Sequence, residues 1–506
     1  MRALAPPMPG LTADGAGRSS SVDRPSVVVV GGGVTGLTAA HAIHRARPDV
    51  EIRLFEARDR LGGNIATDRE DGFVIDGGPD SFLRTKPDAV ELCRELGLES
   101  ELVPTRDVAR HVFVAHQGRL ERMPGGMALA VPTRLRPLLE TRLLGPLGKL
   151  RLLAEPLVPR TRSSADESIE SFFTRRLGRD GAKVLAGPLL GGIYAGDVAK
   201  LSIGATFPQL VELEQKYGSL LRGFLALELS RGGSAPSPGI RDVYRWLRRG
   251  GEALAASPFL ALRGGMGTLI DALARSLPPA TVRAGAPVTA IHRMDGGFRV
   301  DVGRESFTAR SVILAAPAHV SARLAPDADL ARELSGIPYV STATVFFGLD
   351  KRTVAHDLQG FGFIVPPGEA NLLAATWVSS KWDGRAPEGC ALVRAFLGGA
   401  RDAARVKAST DVELVAFARG ELERFMGPLG TPRFTRVYRF TDAGPQPEVG
   451  HRARLERIRA RLRGIPGLFI AGAAYEGVGI PDCIRQARRA ASAALEVFAE
   501  PRATAI

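Results

Sequence analysis

The chain has 506 residues, of which 45% are hydrophobic and 24% are charged, and its formal net charge is +13. These are the proportions of a globular protein, and the length allows two or three domains with well-buried cores. The segment 1–25 is rich in Pro, Gly and Ser and has no apolar signal segment, which predicts a disordered tail. No stretch reaches the ~18 apolar residues of a spanning helix, so we expect a soluble or peripheral protein.

The cysteines and the charge narrow the function further. Cys93, Cys390 and Cys483 have neither the spacing of metal ligands nor enough pairs for a disulfide framework. They predict a reducing cytoplasm and no metal site. The basic excess has three interpretations that stay open here: an arginine-rich genome, an acidic substrate, or an anionic membrane surface. Basic runs interleaved with aromatic residues are missing, so nucleic acid is not an expected partner.

The first elements predict a βαβ unit that binds a dinucleotide. Gly31 suits the tight turn, Gly33 lets a pyrophosphate approach the backbone, and Gly36 lets the helix pack on the strand. The phosphates would lie at the helix N-terminus, where N–H groups are free. Glu56 follows Gly36 by 20 residues, where a carboxylate can bind an adenosine ribose. The predicted strand, turn, helix and second strand are Ser26–Val30, 31–36, Leu37–Arg47 and Glu51–Phe55.

A second glycine pair favours FAD over NAD. Gly62 and Gly63 follow Glu56 closely, and Arg60 ahead of them can offset phosphate charge. This segment resembles the double-glycine signature of the amine-oxidase-like flavoprotein superfamily. Segments 76–80, 287–288, 312–317, 467–472 and 475–497 resemble its other recurring pieces in the same order. The resemblance implies that the cofactor is FAD and that it is bound by Gly31, Gly32, Gly33, Val34, Thr35, Gly36, Glu56, Ala57, Arg60, Gly62, Gly63, Asn64, Gly78, Pro79, Asp80, Ser81, Val288, Ala315, Ala471, Gly472, Val478 and Ile484.

A narrower resemblance begins at residue 191, where the chain reads GGIYAGD and then, from residue 201, LSIGATFP. These motifs resemble those of the protoporphyrinogen oxidases, the oxygen-dependent FAD enzymes of haem synthesis. Segments 77–82, 110–111, 262–266 and 360–366 match in the same order, and the resemblance covers nearly the whole chain from Ser26. The chain departs from the pattern at Asp80, where many members have Asn, and at Phe440, where Trp is common.

The family resemblance implies an α/β fold, α+β overall. It consists of a Rossmann-like FAD-binding domain, a mixed-sheet substrate domain and a helical membrane-contacting lobe. The lobe has independent support, because over Thr133–Arg162 leucine clusters alternate with basic residues; an ordinary helical lobe with solvated charges is the alternative. The predicted segments are 26–107, 259–317 and 465–500 for the FAD domain, 108–121, 242–258 and 318–464 for the substrate domain, and 122–241 for the lobe.

The same resemblance implies oxidation of protoporphyrinogen IX to protoporphyrin IX, with hydride passing to the flavin and dioxygen becoming hydrogen peroxide. Asp80 is the candidate catalytic residue, and Arg110 is expected to bind a substrate propionate. The expected apolar walls of the substrate pocket are Val340, Phe361, Ile364, Trp377 and Val378.

Two alternatives remain open at this point. Some members of the family act on coproporphyrinogen III, which has four propionates rather than two. A non-catalytic carrier with an amine-oxidase fold is the second alternative, although Glu56 and the glycine pair argue against it. Further expected partners are an anionic membrane surface at the inner face of the cell membrane, ferrochelatase downstream, and a second copy of the chain in a homodimer.

Overall fold

The computed structural model describes residues 25–106, 111–163, 165–230, 238–249 and 258–498. Arg110 and the predicted tail up to residue 24 lie outside this range. The strands are β1 (Ser26–Val30), β2 (Glu51–Phe55), β3 (Thr67–Glu70), β4 (Phe73–Asp76), β5 (Phe82–Leu83), β6 (Leu102–Pro104), β7 (Val112–His116), β8 (Arg119–Arg122), β9 (Met127–Ala128), β10 (Val131–Pro132), β11 (Phe259–Leu262), β12 (Val282–Arg283), β13 (Val288–Met294), β14 (Gly297–Val302), β15 (Glu305–Ala309), β16 (Ser311–Leu314), β17 (Tyr339–Asp350), β18 (Gly362–Ile364), β19 (Ala374–Trp377), β20 (Cys390–Gly398), β21 (Phe434–Pro445) and β22 (Leu468–Ile470).

The helices in chain order are α1 (Val34–Ala46), α2 (Pro87–Glu95), α3 (Leu135–Glu140), α4 (Pro146–Leu153), α5 (Ile169–Leu177), α6 (Gly187–Tyr194), α7 (Ile203–Thr206), α8 (Pro208–Tyr217), α9 (Leu220–Ser230), α10 (Ile240–Arg249), α11 (Gly267–Arg275), α12 (Ala318–Leu324), α13 (Ala328–Ser335), α14 (Val378–Lys381), α15 (Gly399–Ala408), α16 (Asp411–Met426), α17 (His451–Arg463) and α18 (Ile480–Glu496).

A five-stranded parallel sheet forms the nucleotide-binding region, with the strand order β12-β2-β1-β16-β22. Its strands are short, and the valines of β1 are buried on both faces, as central parallel strands require. The carboxyl ends of β1, β2, β16 and β22 meet at one edge of the sheet. Ligands of open α/β sheets bind beyond this edge.

The predicted βαβ unit is present. Both strands have the predicted bounds, whereas α1 begins three residues earlier, at Val34, and ends at Ala46. The sequence also predicts a small-residue helix from Arg485 to Val497, and the last helix, α18, begins five residues earlier, at Ile480. Pro481 does not oppose this start, because the first turn of a helix needs no N–H from proline and its fixed φ suits the helix.

The largest sheet has seven strands in the order β21-β17-β20-β19-β18-β7-β8. It is mixed, because β18 and β7 run parallel while the other pairs run antiparallel. One face packs against α15 and α16 and forms a closed apolar core. The other face is turned toward the nucleotide-binding region and the helical lobe, and this face positions the candidate site.

The helical lobe comprises α3 to α10 around its own apolar core. Arg176 on α5 forms a fully buried ion pair with Glu155, which follows α4. Glu155 also accepts hydrogen bonds from the N–H groups of Leu220 and Leu221 at the start of α9, so it joins these three parts of the lobe. Val114 and Ile364 of the large sheet pack against this core, so the lobe covers the β18–β7 end of the sheet. Within the described residues, no helix is both long and apolar enough to cross a membrane.

Three helices from the predicted substrate segment pack elsewhere. The apolar faces of α12, α13 and α17 share a core with β1 and β16 and with a small antiparallel sheet, β13-β14-β15. The predicted substrate segment 318–464 therefore includes three helices that pack on the parallel sheet of the nucleotide-binding region. The cause is that their apolar residues cover a face of the parallel sheet that would otherwise be exposed.

Candidate functional site

A glycine-lined cleft lies at the carboxyl edge of the parallel sheet. Gly31 follows β1, Ala315 follows β16, and Gly472 follows β22, so strands distant in sequence bring these residues together. Gly31 has a φ of 112°, and a side chain there would lie 2.7 Å from the carbonyl oxygen of Ala315. This turn is therefore restricted to glycine by the close approach of the neighbouring strand.

Gly33 differs from the other glycines of the turn. A Cβ at Gly36 would lie 1.9 Å from the carbonyl oxygen of Gly31, so Gly36 is required by helix–strand packing. A Cβ at Gly33 would meet only the Cα of Gly63, at 3.9 Å. No packing contact within the described chain forbids a side chain at Gly33. Open space in front of the α1 N-terminus is what a bound pyrophosphate needs.

Glu56 is held at the end of β2 by the turn itself. Its Oε2 accepts a hydrogen bond from the N–H of Gly32 at 2.6 Å, and its Oε1 accepts one from the N–H of Arg58 at 2.9 Å. The residue is buried. Each carboxylate oxygen has a second lone pair, so Glu56 can accept ribose hydroxyls while it keeps these bonds.

The second glycine pair lies against the first turn. The N–H of Gly62 donates to the carbonyl oxygen of Gly32 at 2.8 Å, and Gly33 and Gly62 form an isolated bridge. Arg60 donates to the carbonyl oxygens of Gly63 (2.9 Å) and Ile65 (3.3 Å), so its guanidinium braces this loop. Its role in offsetting phosphate charge stays a prediction.

The remaining residues predicted to bind the cofactor occupy different surroundings. Val34 and Ala315 are half-buried at the rim of the cleft, whereas Thr35 is buried on α1. The side chains of Ala471 and Ile484 are completely buried in the core of the parallel sheet and its helices and offer no surface to a ligand. Of the other predicted cofactor residues, Ala57 and Asn64 are exposed, and Val288 and Val478 are half-buried.

A second loop, Gly77–Ser81, reaches this cleft from β4. The hypothetical Cβ of Gly78 would lie 1.8 Å from the carbonyl oxygen of Asn64, so the loop passes directly over the second glycine pair. Thr344 donates to the carbonyl oxygen of Gly77 at 2.8 Å, which fixes the loop to the large sheet. Pro79 is exposed and Ser81 is half-buried.

Asp80 is an ionised, fully engaged carboxylate. It accepts hydrogen bonds from Ser81 Oγ (2.7 Å), Lys381 Nζ (2.9 Å) and Trp382 Nε1 (3.1 Å). Burial raises its pKa, but attraction to Lys381 and Arg394 outweighs burial and holds the pKa well below its usual range. A carboxylate in this state is a poor proton acceptor at neutral pH. The geometry gives Asp80 a structural contact with α14 rather than the features of a general base.

Two further arginines, neither of them among the residues predicted to form the site, lie behind the same loop. Arg385 is buried and pairs with Asp76 at 3.0 Å. Arg394 is buried on β20 and donates to the carbonyl oxygens of Gly77 (2.9 Å) and Gly78 (2.7 Å). Its position in a strand of otherwise apolar residues, CALVRAFLG, is the sequence signal that could have marked it.

The strand pairing shows which residues share the face above this loop. Residues that lie directly opposite each other on neighbouring strands point to the same side of a sheet. One such row crosses four strands and consists of Thr344, Phe396, Ala374 and Ile364. In the next row Arg394 opposes Thr376. The half-buried members, Ile364, Ala374, Thr376 and Phe396, are hereafter called the open face.

The residues predicted to wall the pocket fall into two groups. Ile364 belongs to the open face, and Val340 is half-buried beside Gly444. Trp377 opposes Val393 on the other side of the sheet and is completely buried there. Val378 is buried in a neighbouring core cluster, and half-buried Phe361 pairs through its backbone with Trp377 and His111. A shift of one residue reverses the face in a strand, so Thr376, not Trp377, faces the loop.

Comparison with known proteins adds a family to this geometry. The sequence model of a family described as flavin containing amine oxidoreductase matches residues 34–495. A coproporphyrinogen III oxidase of Bacillus subtilis (strain 168) is 34% identical over 476 residues, covering 93% of this chain and 97% of the relative. The protoporphyrinogen oxidase of Homo sapiens is 34% identical over 496 residues, covering 93% and 98%.

A solved structure supports the same grouping. The crystal structure of a protein from Exiguobacterium sp. 255-15, named as a candidate protoporphyrinogen oxidase, has a TM-score of 0.80 and 34% sequence identity, and the match covers 93% of this chain and 99% of that chain.

The residues of the cleft fit FAD. The open space at Gly33 lies in front of the α1 N-terminus, as a pyrophosphate needs, and Glu56 is buried within contact of the same turn. Gly472 adds a second open position, because no atom of the described chain lies within 4 Å of its hypothetical Cβ. Gly33 bridges Gly62, and the Gly77–Ser81 loop approaches the carbonyl oxygen of Asn64, so the turn at Gly33, the second glycine pair and this loop are neighbours, an arrangement that suits an extended dinucleotide.

Proposed function

The chain belongs to the flavin-containing amine oxidoreductases, within the porphyrinogen oxidases, and from this premise we propose that it oxidises protoporphyrinogen IX to protoporphyrin IX. It is an FAD-dependent oxidoreductase, so the non-catalytic carrier alternative is set aside. FAD held by Glu56, Gly33 and the Gly77–Ser81 loop would supply the redox chemistry, with the substrate as hydride donor, dioxygen as electron acceptor and hydrogen peroxide as product. The residues of the chain bind and orient both partners.

The single observation that carries the substrate proposal is the open face. Its apolar members lie between two packed regions, the Gly77–Ser81 loop and the helical lobe, and yet they are only half-buried: Ile364, Ala374 and Phe396. An apolar surface left partly uncovered at this place suits a large, flat, apolar macrocycle. The face would present one side of the macrocycle to the cofactor and exclude water from it.

The charges on two strands next to the open face, β20 and β21, support the substrate with two carboxylates over the one with four. Among the described residues that share this side of the large sheet, the cations on β20 and β21 are Arg394 and Arg436. Arg394 is occupied by the carbonyl oxygens of Gly77 and Gly78, and Arg436 pairs with Glu70 at 2.6 Å. Neither is available to bind a further propionate.

Coproporphyrinogen III remains the second candidate substrate. The Bacillus subtilis relative carries that activity in its name, and it is as similar in sequence as the human protoporphyrinogen oxidase. The deciding experiment measures kcat/KM for both porphyrinogens by porphyrin fluorescence under air, with catalase present. Wild-type apoprotein, stripped of its flavin, provides the blank for autoxidation. The proposal expects a higher kcat/KM for protoporphyrinogen IX, and a higher value for coproporphyrinogen III would reverse the assignment.

We retain Arg110 as the proposed anchor of a propionate, on the strength of the family resemblance alone. A guanidinium makes two parallel hydrogen bonds to a carboxylate, which an ammonium cannot do. Arg110→Ala should therefore lower kcat/KM by about 2–4 kcal/mol without loss of flavin, and Arg110→Lys should recover only part of the loss. A near-normal kcat/KM in Arg110→Ala would remove this residue from the site.

We also propose that the lobe binds the inner face of the cell membrane peripherally, where a downstream ferrochelatase could receive the product. Leu147 and Leu150 on α4 are 81% and 64% exposed, and Leu139 and Leu157 beside them are 50% and 63% exposed. Exposed leucines with basic neighbours are typical of surfaces that bind anionic lipid. Arg151, however, donates to the carbonyl oxygens of Arg175 and Arg176, so it braces α5.

Vesicle binding tests this proposal. The double variant Leu147→Asp with Leu150→Asp should bind anionic vesicles several-fold more weakly. It removes apolar surface from α4 and adds two negative charges, which anionic lipid repels. Val412 is 78% exposed and belongs to α16, which packs on the face of the seven-stranded sheet away from the lobe, so Val412→Asp is the matched control. Equal binding by both variants would contradict a lipid-binding surface on α4. The proposed homodimer is tested separately by sedimentation equilibrium.

A further inference from the structure

Five charged side chains surround the Gly77–Ser81 loop, and four of them form pairs. Asp76 pairs with Arg385 at 3.0 Å, and Asp80 pairs with Lys381 at 2.9 Å. The fifth, Arg394, forms no ion pair with any described carboxylate and hydrogen-bonds only to the two carbonyl oxygens of the loop. The cluster therefore holds one uncompensated positive charge.

Arg394 holds this charge away from water. The residue is 5% exposed, and its Nε has no hydrogen-bond partner among the described residues. Its guanidinium lies 4.2 Å from the ring centre of Phe396 and 5.2 Å from that of Phe346. Burial lowers the pKa of Arg394 to about 10 despite the opposing influence of Asp80 and Asp76, so the group stays protonated at neutral pH.

A buried cation without a counter-ion is costly for the fold. Anchoring a carbonyl oxygen of this loop does not require a charge, because Thr344 donates to that of Gly77 from a neutral hydroxyl; Arg394 donates to those of Gly77 and Gly78. The charge is better explained by a negative charge that develops next to the loop. Reduction supplies one: when flavin takes up two electrons and one proton, it gains one negative charge.

We propose that Arg394 raises the reduction potential of the bound flavin by electrostatic stabilisation of its reduced form. The inference rests on the proposed position of the flavin beside Gly78–Ser81. Preorganised charge in a dry site costs no reorganisation when the electrons arrive, so it favours the reduced state strongly. Arg394 thereby helps hydride transfer from the substrate without contact with the substrate.

The test measures the midpoint potential of the holoprotein by slow reduction with xanthine and xanthine oxidase in the presence of a reference dye. Arg394→Gln keeps an amide donor and removes the charge, and it should lower the ratio of reduced to oxidised flavin about tenfold at fixed dye potential, or about 30 mV for a two-electron couple. Arg394→Lys keeps the charge and should retain most of the potential. Thr344→Val removes the neutral tether to Gly77 and should leave the potential unchanged.

A change of opposite sign makes the test independent of how well Arg394→Gln folds. Asp80→Asn removes a neighbouring negative charge and should raise the potential. The inference is overturned if Arg394→Gln has the wild-type potential, if Thr344→Val or Arg394→Lys lowers it equally, or if Asp80→Asn fails to raise it. Because no porphyrinogen is used, these outcomes are separate from the substrate proposal, and a protein purified without flavin would contradict the cofactor site itself.

Discussion

The two sheets of this protein differ in how directly their residues encode their roles. In the parallel sheet, each functional position follows from local sequence: a strand of valines, a glycine turn, and Glu56 at the end of the next strand. In the seven-stranded sheet, the functional face depends on which side of each strand meets the Gly77–Ser81 loop. That choice is made by contacts such as Thr344 with Gly77, between residues that are 267 positions apart.

The largest expected effect concerns Trp377 and Ile364. The sequence predicts both in the wall of the substrate pocket, whereas the structure places them on opposite faces of the seven-stranded sheet. Trp377→Ala should lower the free energy of unfolding by about 3–5 kcal/mol, because it leaves a cavity in a closed core, while the milder Trp377→Phe should fold and keep a normal KM. Ile364→Ala should instead raise KM several-fold at a smaller cost in stability. Urea unfolding and steady-state kinetics measure both.

A raised KM in Trp377→Phe together with an unchanged KM in Ile364→Ala would reverse the assignment of faces. The strand register of the seven-stranded sheet would then not identify the face that meets the substrate, and the contrast drawn between the two sheets would be wrong.

The next effect concerns the cofactor cleft. Gly33→Val should weaken FAD binding by about 3 kcal/mol, roughly a hundredfold, because the new side chain fills the space in front of α1. Gly125 also has no atom within 4 Å of its hypothetical Cβ, but it lies in an exposed loop. Gly125→Val is therefore the control and should purify yellow. Full flavin content in Gly33→Val would show that the pyrophosphate lies elsewhere.

Glu56 should have a smaller effect. Glu56→Ala removes the acceptor for the N–H groups of Gly32 and Arg58 and for the ribose, and should weaken FAD binding by about 1–3 kcal/mol. Glu56→Gln keeps one acceptor oxygen and should fall between Glu56→Ala and the wild type. Flavin fluorescence on titration of the apoprotein measures all three. Wild-type affinity in Glu56→Ala would remove the residue from the cofactor site.

Sequence reasoning accounts for the parallel sheet because its signals are local. Strand, glycine turn and acid occur within one short segment, and backbone rules assign each residue a place. The start of α18 lies five residues before the expected Arg485, because the first turn of a helix accepts Pro481 and therefore includes it.

The open face was not predictable in the same way. Alternation in Ala374–Trp377 shows that Thr376 and Trp377 point to opposite sides, but it does not show which side meets the cofactor. The large aromatic residue was the natural choice for a pocket wall, and tertiary packing placed it in the closed core. Arg394 was missed for a related reason: its partners are backbone carbonyl oxygens more than 300 residues away.

The most direct test of the whole account is an anaerobic mixing experiment with the holoprotein and protoporphyrinogen IX. With oxygen removed, electrons from the substrate can only collect on the flavin. The account predicts that the visible absorbance of oxidised flavin falls at the same rate as porphyrin fluorescence appears, and that air restores it with formation of hydrogen peroxide. Flavin that stays oxidised with every porphyrinogen offered, while the protein is folded and fully loaded, would contradict the account.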